Sequence, residues 1–357
     1  MNFPELKIGK WTARVPIIQG GMGVGISRAG LASAVASAGA VGIIATVGLG
    51  LISPNYRRPA DYYPTNIQSL REELEFAKAN SGDGIFGVNC MVAITDYEPM
   101  VRTAAEAGAK IIISGAGLPL KLPEYTKDFP DVALVPIVSS GKALTIITKK
   151  WEKSYGRIPD AVIIESPNFA GGHLGSDRES VGKIEFELEN CVTDVVTESI
   201  KTGYNIPVIA AGGIWDRQDI EKMFSYGASG VQMATRFVCT HECDAPMEFK
   251  QVYLNTESPD EIILVQSPVG LPGRAFKNLK FMTDPTKPNP DIAFQGCFLN
   301  CLKKCTMRDK GTGFCIARAL ERAARGDVND GLVFMGSNAY KCDEIISVEE
   351  LIRKLTT

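Results

Sequence analysis

Of the two histidines among the 357 residues, one sits where proton-transfer chemistry is plausible on residue type and spacing. His173 lies in Ala170-Gly171-Gly172-His173-Leu174-Gly175, directly after the apolar run Ala161-Val162-Ile163-Ile164-Glu165. Glycines let backbone come close to a ligand. An imidazole ionises near neutral pH, so it can take a proton from an activated carbon or return one. The competing reading is a hydrogen-bonded structural imidazole. His241 stands in the polar run His241-Glu242-Cys243-Asp244 and is expected to have no catalytic part. A second group of reactive side chains is Cys297, Cys301, Cys305 and Cys315, spaced C-x3-C-x3-C-x9-C. Four thiolates suit an iron–sulfur cluster or a structural zinc, whereas buried free thiols simply pack as small apolar groups. In one continuous helix Cys297 and Cys305 would lie ~12 Å apart along the axis. A metal site would therefore need the chain to leave the helix, near Gln295-Gly296 or Lys310-Gly311-Thr312-Gly313.

The elements that must position these residues follow from the hydrophobic pattern. Eight short apolar runs, rich in β-branched residues, span 17–19, 40–47, 85–90, 110–114, 133–139, 161–165, 207–211 and 230–237. Several are apolar on both faces, as strands inside a parallel sheet must be. Helical stretches separate most of them, including 29–38, 69–80, 98–108, 192–201 and 216–227;. Eight strands with intervening helices predict an α/β fold of the TIM (β/α)8 type rather than an open doubly wound sheet. In such a barrel the C-terminal strand ends converge on one face, which puts His173 at the mouth. Glycine-rich ends of the last two strands form the recurring phosphate site of these barrels, so Gly212, Gly213, Ala234 and Thr235 are the expected phosphate grip. The long interval from Gly48 to Pro64 reads as a loop over the mouth. Beyond Phe237 the pattern changes: 244–254 is helix-like, 261–265 strand-like, 268–274 a Pro/Gly loop, 282–290 Pro-rich and 314–325 an amphipathic helix;. The expected organisation is a barrel over 1–240 and a smaller, mainly helical segment over 241–357 that covers the mouth.

Composition limits the partners. The chain is 45% hydrophobic and 22% charged, with a net charge of -3, so no global field draws it to nucleic acid or to an anionic membrane;. The N-terminus lacks the pattern of a secretory signal, and no apolar stretch reaches ~18 residues, so a cytoplasmic protein is expected. Nine cysteines without such a signal are expected as thiols or metal ligands rather than a disulfide framework;.

Taken in order, Gln19-Gly20-Gly21-Met22, Gly87-Val88-Asn89, the glycine-histidine turn, Ala210-Ala211-Gly212-Gly213-Ile214 and Gln232-Met233-Ala234-Thr235-Arg236-Phe237 resemble the nitronate monooxygenase family, formerly 2-nitropropane dioxygenases. That family also contains the flavin-dependent enoyl-acyl-carrier-protein reductases II. The resemblance spans nearly the whole chain, and it implies one non-covalent FMN at the barrel mouth. Carried over by position, Gly21 and Met22 would meet the flavin ring, and Asn89 and Glu165 its polar atoms or ribityl chain. Gly172, Gly212, Gly213, Ala234 and Thr235 would bind the chain and phosphate, and His173 would be the acid/base. The implied activity is oxidation of alkyl nitronates. The alternatives are an NAD(P)H-dependent reduction of enoyl thioesters, with an acidic acyl carrier protein as partner, and a non-catalytic FMN-binding barrel. Asn89 and Ser114 are further candidate substrate contacts, with packing as their other reading. Lys149-Lys150 and Lys303-Lys304 are the short basic clusters such a carrier would have to use. The link from Glu165 to the glycine-histidine turn is one residue longer than the usual pattern, Ala234 stands where many members have Gly, and the cysteine-rich tail is not part of that pattern.

Overall fold

The computed structural model describes residues 3–281, 297 and 299–357. Eight parallel strands close into a barrel: β1 (Ile17–Gln19), β2 (Val41–Ala45), β3 (Ile85–Met91), β4 (Ile111–Gly115), β5 (Ala133–Val138), β6 (Val162–Glu165), β7 (Val208–Ala211) and β8 (Gly230–Met233). Each pairs in parallel with the next, and β8 returns to β1. The two-residue period of a strand sorts the side chains. Ile18, Ile43, Ile113, Val135, Ile163 and Ile209 fill the barrel interior. Their neighbours Ile17, Ile44, Ile112, Leu134, Ile164 and Ala210 face outward into the helix layer. This is why the runs are apolar on both faces. A hairpin that the pattern did not announce, Leu6–Ile8 with Trp11–Ala13, closes the floor, and its Leu6, Ile8 and Ala13 join the interior cluster.

The eighth run departs from expectation. The strand stops at Met233, and Thr235–Val238 is a short helix instead of strand. Phe237 and Val238 are fully buried, so the run is apolar for its helix packing, and a short apolar run does not reveal its own period;. The turn at Ala234 leaves backbone free at the mouth. On the outside, the helix Gly141–Tyr155 opens on Ser140, whose hydroxyl accepts from the Ala143 amide, and closes on Gly156 at φ +63°. Asp216 and Asp219 form a reciprocal capping box before Arg217–Ser225;. The Tyr62–Asn80 helix begins a turn and more earlier than the pattern showed.

Residues 241–357 contain the helices Met247–Leu254, Thr306–Lys310, Ile316–Ala324 and Val348–Thr356, and also a hairpin of Ile262–Gln266 with Pro272–Phe276. The segment is therefore less purely helical than expected. Half of the anticipated 268–274 loop is strand, and Pro272-Gly273 conceals it because neither residue favours strands on its own. That strand also pairs with Gly172–His173, with Gly273 opposite His173 and Arg274 opposite Gly172. The tail reaches across the mouth. Leu302 bridges to Ile94, the Thr95 amide donates to Cys301 O at 3.0 Å, and the Lys303 amide to Ala93 O at 2.9 Å. The expected Pro-rich stretch 282–290 and Gln295-Gly296 lie outside the described residues. Among the described residues no helix is long and apolar enough to cross a membrane.

Candidate active site

The C-terminal ends of the strands open into one cavity of about 500 Å3, a size common for cofactor and substrate sites;. One end is made of backbone. Gly212 and Gly213 turn the chain after β7 at φ +98° and +82°, a region that L side chains rarely adopt;. A Cβ on Gly213 would come within 2.8 Å of the Phe169 Cβ, and one on Gly212 within 3.0 Å of Ser166 O. Ala234 and Thr235 follow β8 beside them. The tail segment 334–338 completes this end: the Gly336 amide donates to Thr235 Oγ1 at 3.2 Å, the Ser337 amide to Phe169 O at 3.0 Å, and Asn338 Nδ2 to Gly213 O at 2.6 Å. Two buried polar atoms on the cavity wall, Gln232 Oε1 and Ser337 Oγ, have no hydrogen-bond partner within the protein. Buried polar atoms are rarely left so, and these two ask for a polar ligand. A phosphorylated, hydrogen-bonding cofactor such as FMN fits this end.

His173 stands at the centre. Its Nε2 is 2.7 Å from Ser267 Oγ, and its ring packs edge-on against Phe334. Ser267 Oγ also accepts from the Val269 amide at 3.3 Å. The Ser267 hydroxyl can give its proton to Nε2, an arrangement that puts the imidazole proton on Nδ1;. Burial pulls the His173 pKa down from 6.5 to about 4;. The lowered pKa keeps the ring neutral at pH 7.

Glu165 ends β6 on the same wall. Burial pushes its carboxyl from 4.5 up to about 7, with the Arg274 guanidinium pulling the other way. Arg274 is itself buried and lowered to about 10 by desolvation. It donates to Ala170 O and to Pro167 O, the latter at 3.1 Å, and so pins the loop between Glu165 and His173. Gly21, Met22, Asn89 and Gly172 also line the cavity.

A model of the nitronate monooxygenase family matches residues 5–357. The chain belongs to that family. As a nitronate monooxygenase family member it shares 24% identity over 332 residues with a probable nitronate monooxygenase of Staphylococcus saprophyticus, an alignment covering 85% of this chain and 88% of that one. It is 28% identical over 262 residues to a Mycobacterium tuberculosis protein named as the (3aS,4S,5R,7aS)-5-hydroxy-7a-methyl-1-oxo-octahydro-1H-indene-4-carboxyl-CoA dehydrogenase, covering 73% of this chain but only 63% of that protein. A namesake from Rhodococcus jostii is covered over 56% of its length. Among solved structures, FabK from Thermotoga maritima superposes with a TM-score of 0.69 at 25% identity, over 96% of this chain and 92% of the other.

Within this family fold every residue expected to meet the cofactor lines the one cavity. Ser114 does not reach it: its hydroxyl is buried between Tyr97 Oη at 2.7 Å and Cys90 O at 2.9 Å, which is packing. His241 is exposed and sits away from the cavity, its amide bonded to Ile346 O. Among the described residues no three His, Cys, Asp or Glu side chains converge closely enough to hold an ion. Cys297, Cys301, Cys305 and Cys315 lie near one another, yet Cys301 and Cys315 face the small apolar core of Val24, Leu51 and Tyr62. Burial pushes the Cys301 thiol up to about 12, with the other three cysteines adding to the rise. Sequence reasoning missed Ser267, Arg274 and the Gly336-Ser337-Asn338 turn. All three come from the tail, where nothing in local pattern says which strand end they will meet.

Proposed function

We propose that the chain binds FMN and oxidises alkyl nitronates, with dioxygen as the oxidant. What supports this most directly is His173 on the cavity wall, its Nε2 2.7 Å from Ser267 Oγ; with that hydroxyl donating, Nδ1–H is left for a ligand. A base with a pKa near 4 is poorly matched to removing a proton from carbon, and an imidazole that is neutral at pH 7 is a poor proton source for an enolate. A nitronate already lacks that proton. What it requires is a hydrogen-bond donor for its anionic oxygens, and Nδ1–H is one. Gly212, Gly213, Thr235 and the 336–338 turn would hold the cofactor's phosphate, Gln232 and Asn89 its polar atoms, and Gly21 and Met22 its ring. When bound, FMN supplies the electron acceptance that no side chain here can perform.

The second reading is an NAD(P)H-dependent enoyl-thioester reductase. The likeness to FabK and to a protein named for a CoA thioester favours it. Lys303 is engaged with Val92 O and the Tyr97 ring, and Lys149-Lys150 lie well along the outer helix Gly141–Tyr155. Anaerobic protein mixed in turn with ethyl nitronate, NADH and NADPH separates the readings. Bleaching of the flavin spectrum by the nitronate alone, followed by oxygen uptake in air, is the expected result. Bleaching by a pyridine nucleotide and not by nitronate would transfer the assignment to the reductase.

A further inference from the structure

The end of the cavity across from the glycine turns has a different character. In a closed eight-stranded barrel the ends of β3 and β4 lie opposite those of β7 and β8. Beside Asn89 and the Gly115-Ala116-Gly117 turn, the wall here includes Leu51 and Tyr62 from the segment after β2, Ile94 from the loop after β3, and Leu302, Ile316 and Leu320 from the tail. The tail part is a built roof. In the helix Ile316–Ala324, residues 316, 317 and 320 share the face turned to the cavity, while Ala319 and Ala323 are buried as well. It is tied down at mid-helix by the Leu332 amide to Ala319 O at 2.9 Å and at its C-terminus by Arg325 Nη2 to Leu51 O at 2.5 Å. Among the described residues no lysine, arginine or aspartate lines the cavity, and its one carboxylate, Glu165, stands on the β6 side with His173.

We propose that this chamber selects substrates by an uncharged hydrophobic body, an alkyl or alicyclic group, attached to the reacting head at His173. The proposal rests on the nitronate reading for the head alone. A short nitronate would leave apolar wall without contacts. A nitronate carrying a carboxylate would place a charge where no cation of the described residues meets it, at a desolvation cost;. An alkyl body removes its own apolar surface and that of the wall from water together, and binding should strengthen about three- to fourfold for each methylene that becomes buried.

Two measurements test the chamber and the reaction separately. The first is calorimetric binding of unreactive primary alcohols, butanol to decanol, and of the matching alkanoates, to the FMN-loaded protein. The expected result is a Kd that falls about three- to fourfold per methylene until the chamber is full, with alkanoates weaker by at least tenfold at equal length. In Ala317→Phe, whose ring would project into the chamber, the series should stop improving at a shorter chain. Leu320→Glu should abolish the dependence on length. A Kd indifferent to chain length, or alkanoates binding as tightly as alcohols, overturns the proposal. The second is kcat/KM for ethyl through octyl nitronates, expected to rise in parallel with the alcohol series. If alcohols show the length dependence and no nitronate turns over, the chamber stands and the nitronate reading fails. If nitronates turn over with a flat series, the reverse holds.

Discussion

The two ends of the cavity are built from different material. The cradle after β7 and β8 is main chain: glycine turns, free amides and short polar side chains, with Gln232 Oε1 and Ser337 Oγ waiting for a partner. The opposite end is side chain: Leu51, Tyr62, Ile94 and the roof helix, with no cation among the described residues. A backbone cradle is hard to change without losing the fold, because its shape is fixed by the strand ends. A side-chain wall can be exchanged one residue at a time. The first therefore suits what every member of a family must hold, and the second what distinguishes one member's substrate from another's.

If that contrast is right, substitutions at the centre and at each end should fail in different ways. The largest effect is expected at His173, where neither end can substitute: His173→Ala should lower nitronate kcat/KM by ~100-fold or more while FMN remains bound in stoichiometric amount. Retained turnover would make the imidazole structural. Next comes the cradle. Gly213→Val would place Cβ against Phe169 in a strained backbone region, and FMN affinity, read by fluorescence titration of flavin-free protein, should weaken by about tenfold or more;. Unchanged affinity would move the phosphate elsewhere. Ser267→Ala removes the donor to Nε2 and should reduce kcat/KM by about three- to tenfold. Losing that donor also raises His173 basicity, so the acidic limb of the pH profile should move upward from about 4, and Ser267→Thr should restore both;.

A smaller effect concerns Glu165, whose carboxyl is raised from 4.5 to about 7 on folding. The folded state then holds its proton more tightly than the unfolded state, so stability is fully present below about 4.5 and is lost as pH rises through about 7;. Denaturant midpoints of flavin-free protein should fall between pH 6.5 and 8, and Glu165→Gln should flatten that fall;. His173 works in the opposite direction below this range, because its lowered pKa favours the folded state as pH rises from about 4 to 6.5;. The double variant with His173→Ala isolates the carboxyl. The smallest effect is expected from the tail thiols. Anaerobically purified protein should contain less than ~0.1 equivalent of iron or zinc, and chelator should not change its melting temperature. Stoichiometric metal would mean that the four cysteines close around an ion they do not surround in this structure.

The same contrast explains what could be read from the sequence. The barrel was legible because each strand is a short apolar run with its own helix behind it, and the cradle because Gly212-Gly213 and Ala234-Thr235 fall at the ends of the last two runs. His173 was legible by its glycine neighbours. Ser267 and Arg274 were not, since a serine before a proline and an arginine in a Pro-Gly-Arg stretch look like any loop until the 272–276 strand pairs with Gly172–His173. Nor does the C-x3-C-x3-C-x9-C spacing disclose that two of its thiols turn into an apolar core. Short-range pattern records what an element is. It does not record which distant element will lie against it.

The antiparallel pairing of Gly172–His173 with Gly273-Arg274 has one more consequence. It makes His173 the third strand of a sheet whose other two strands belong to the tail, so the imidazole takes its orientation from residues a hundred positions downstream. A ribosome that has delivered the whole barrel has not yet delivered the strand that orients His173. The wall around that imidazole is complete only when the last third of the chain has arrived.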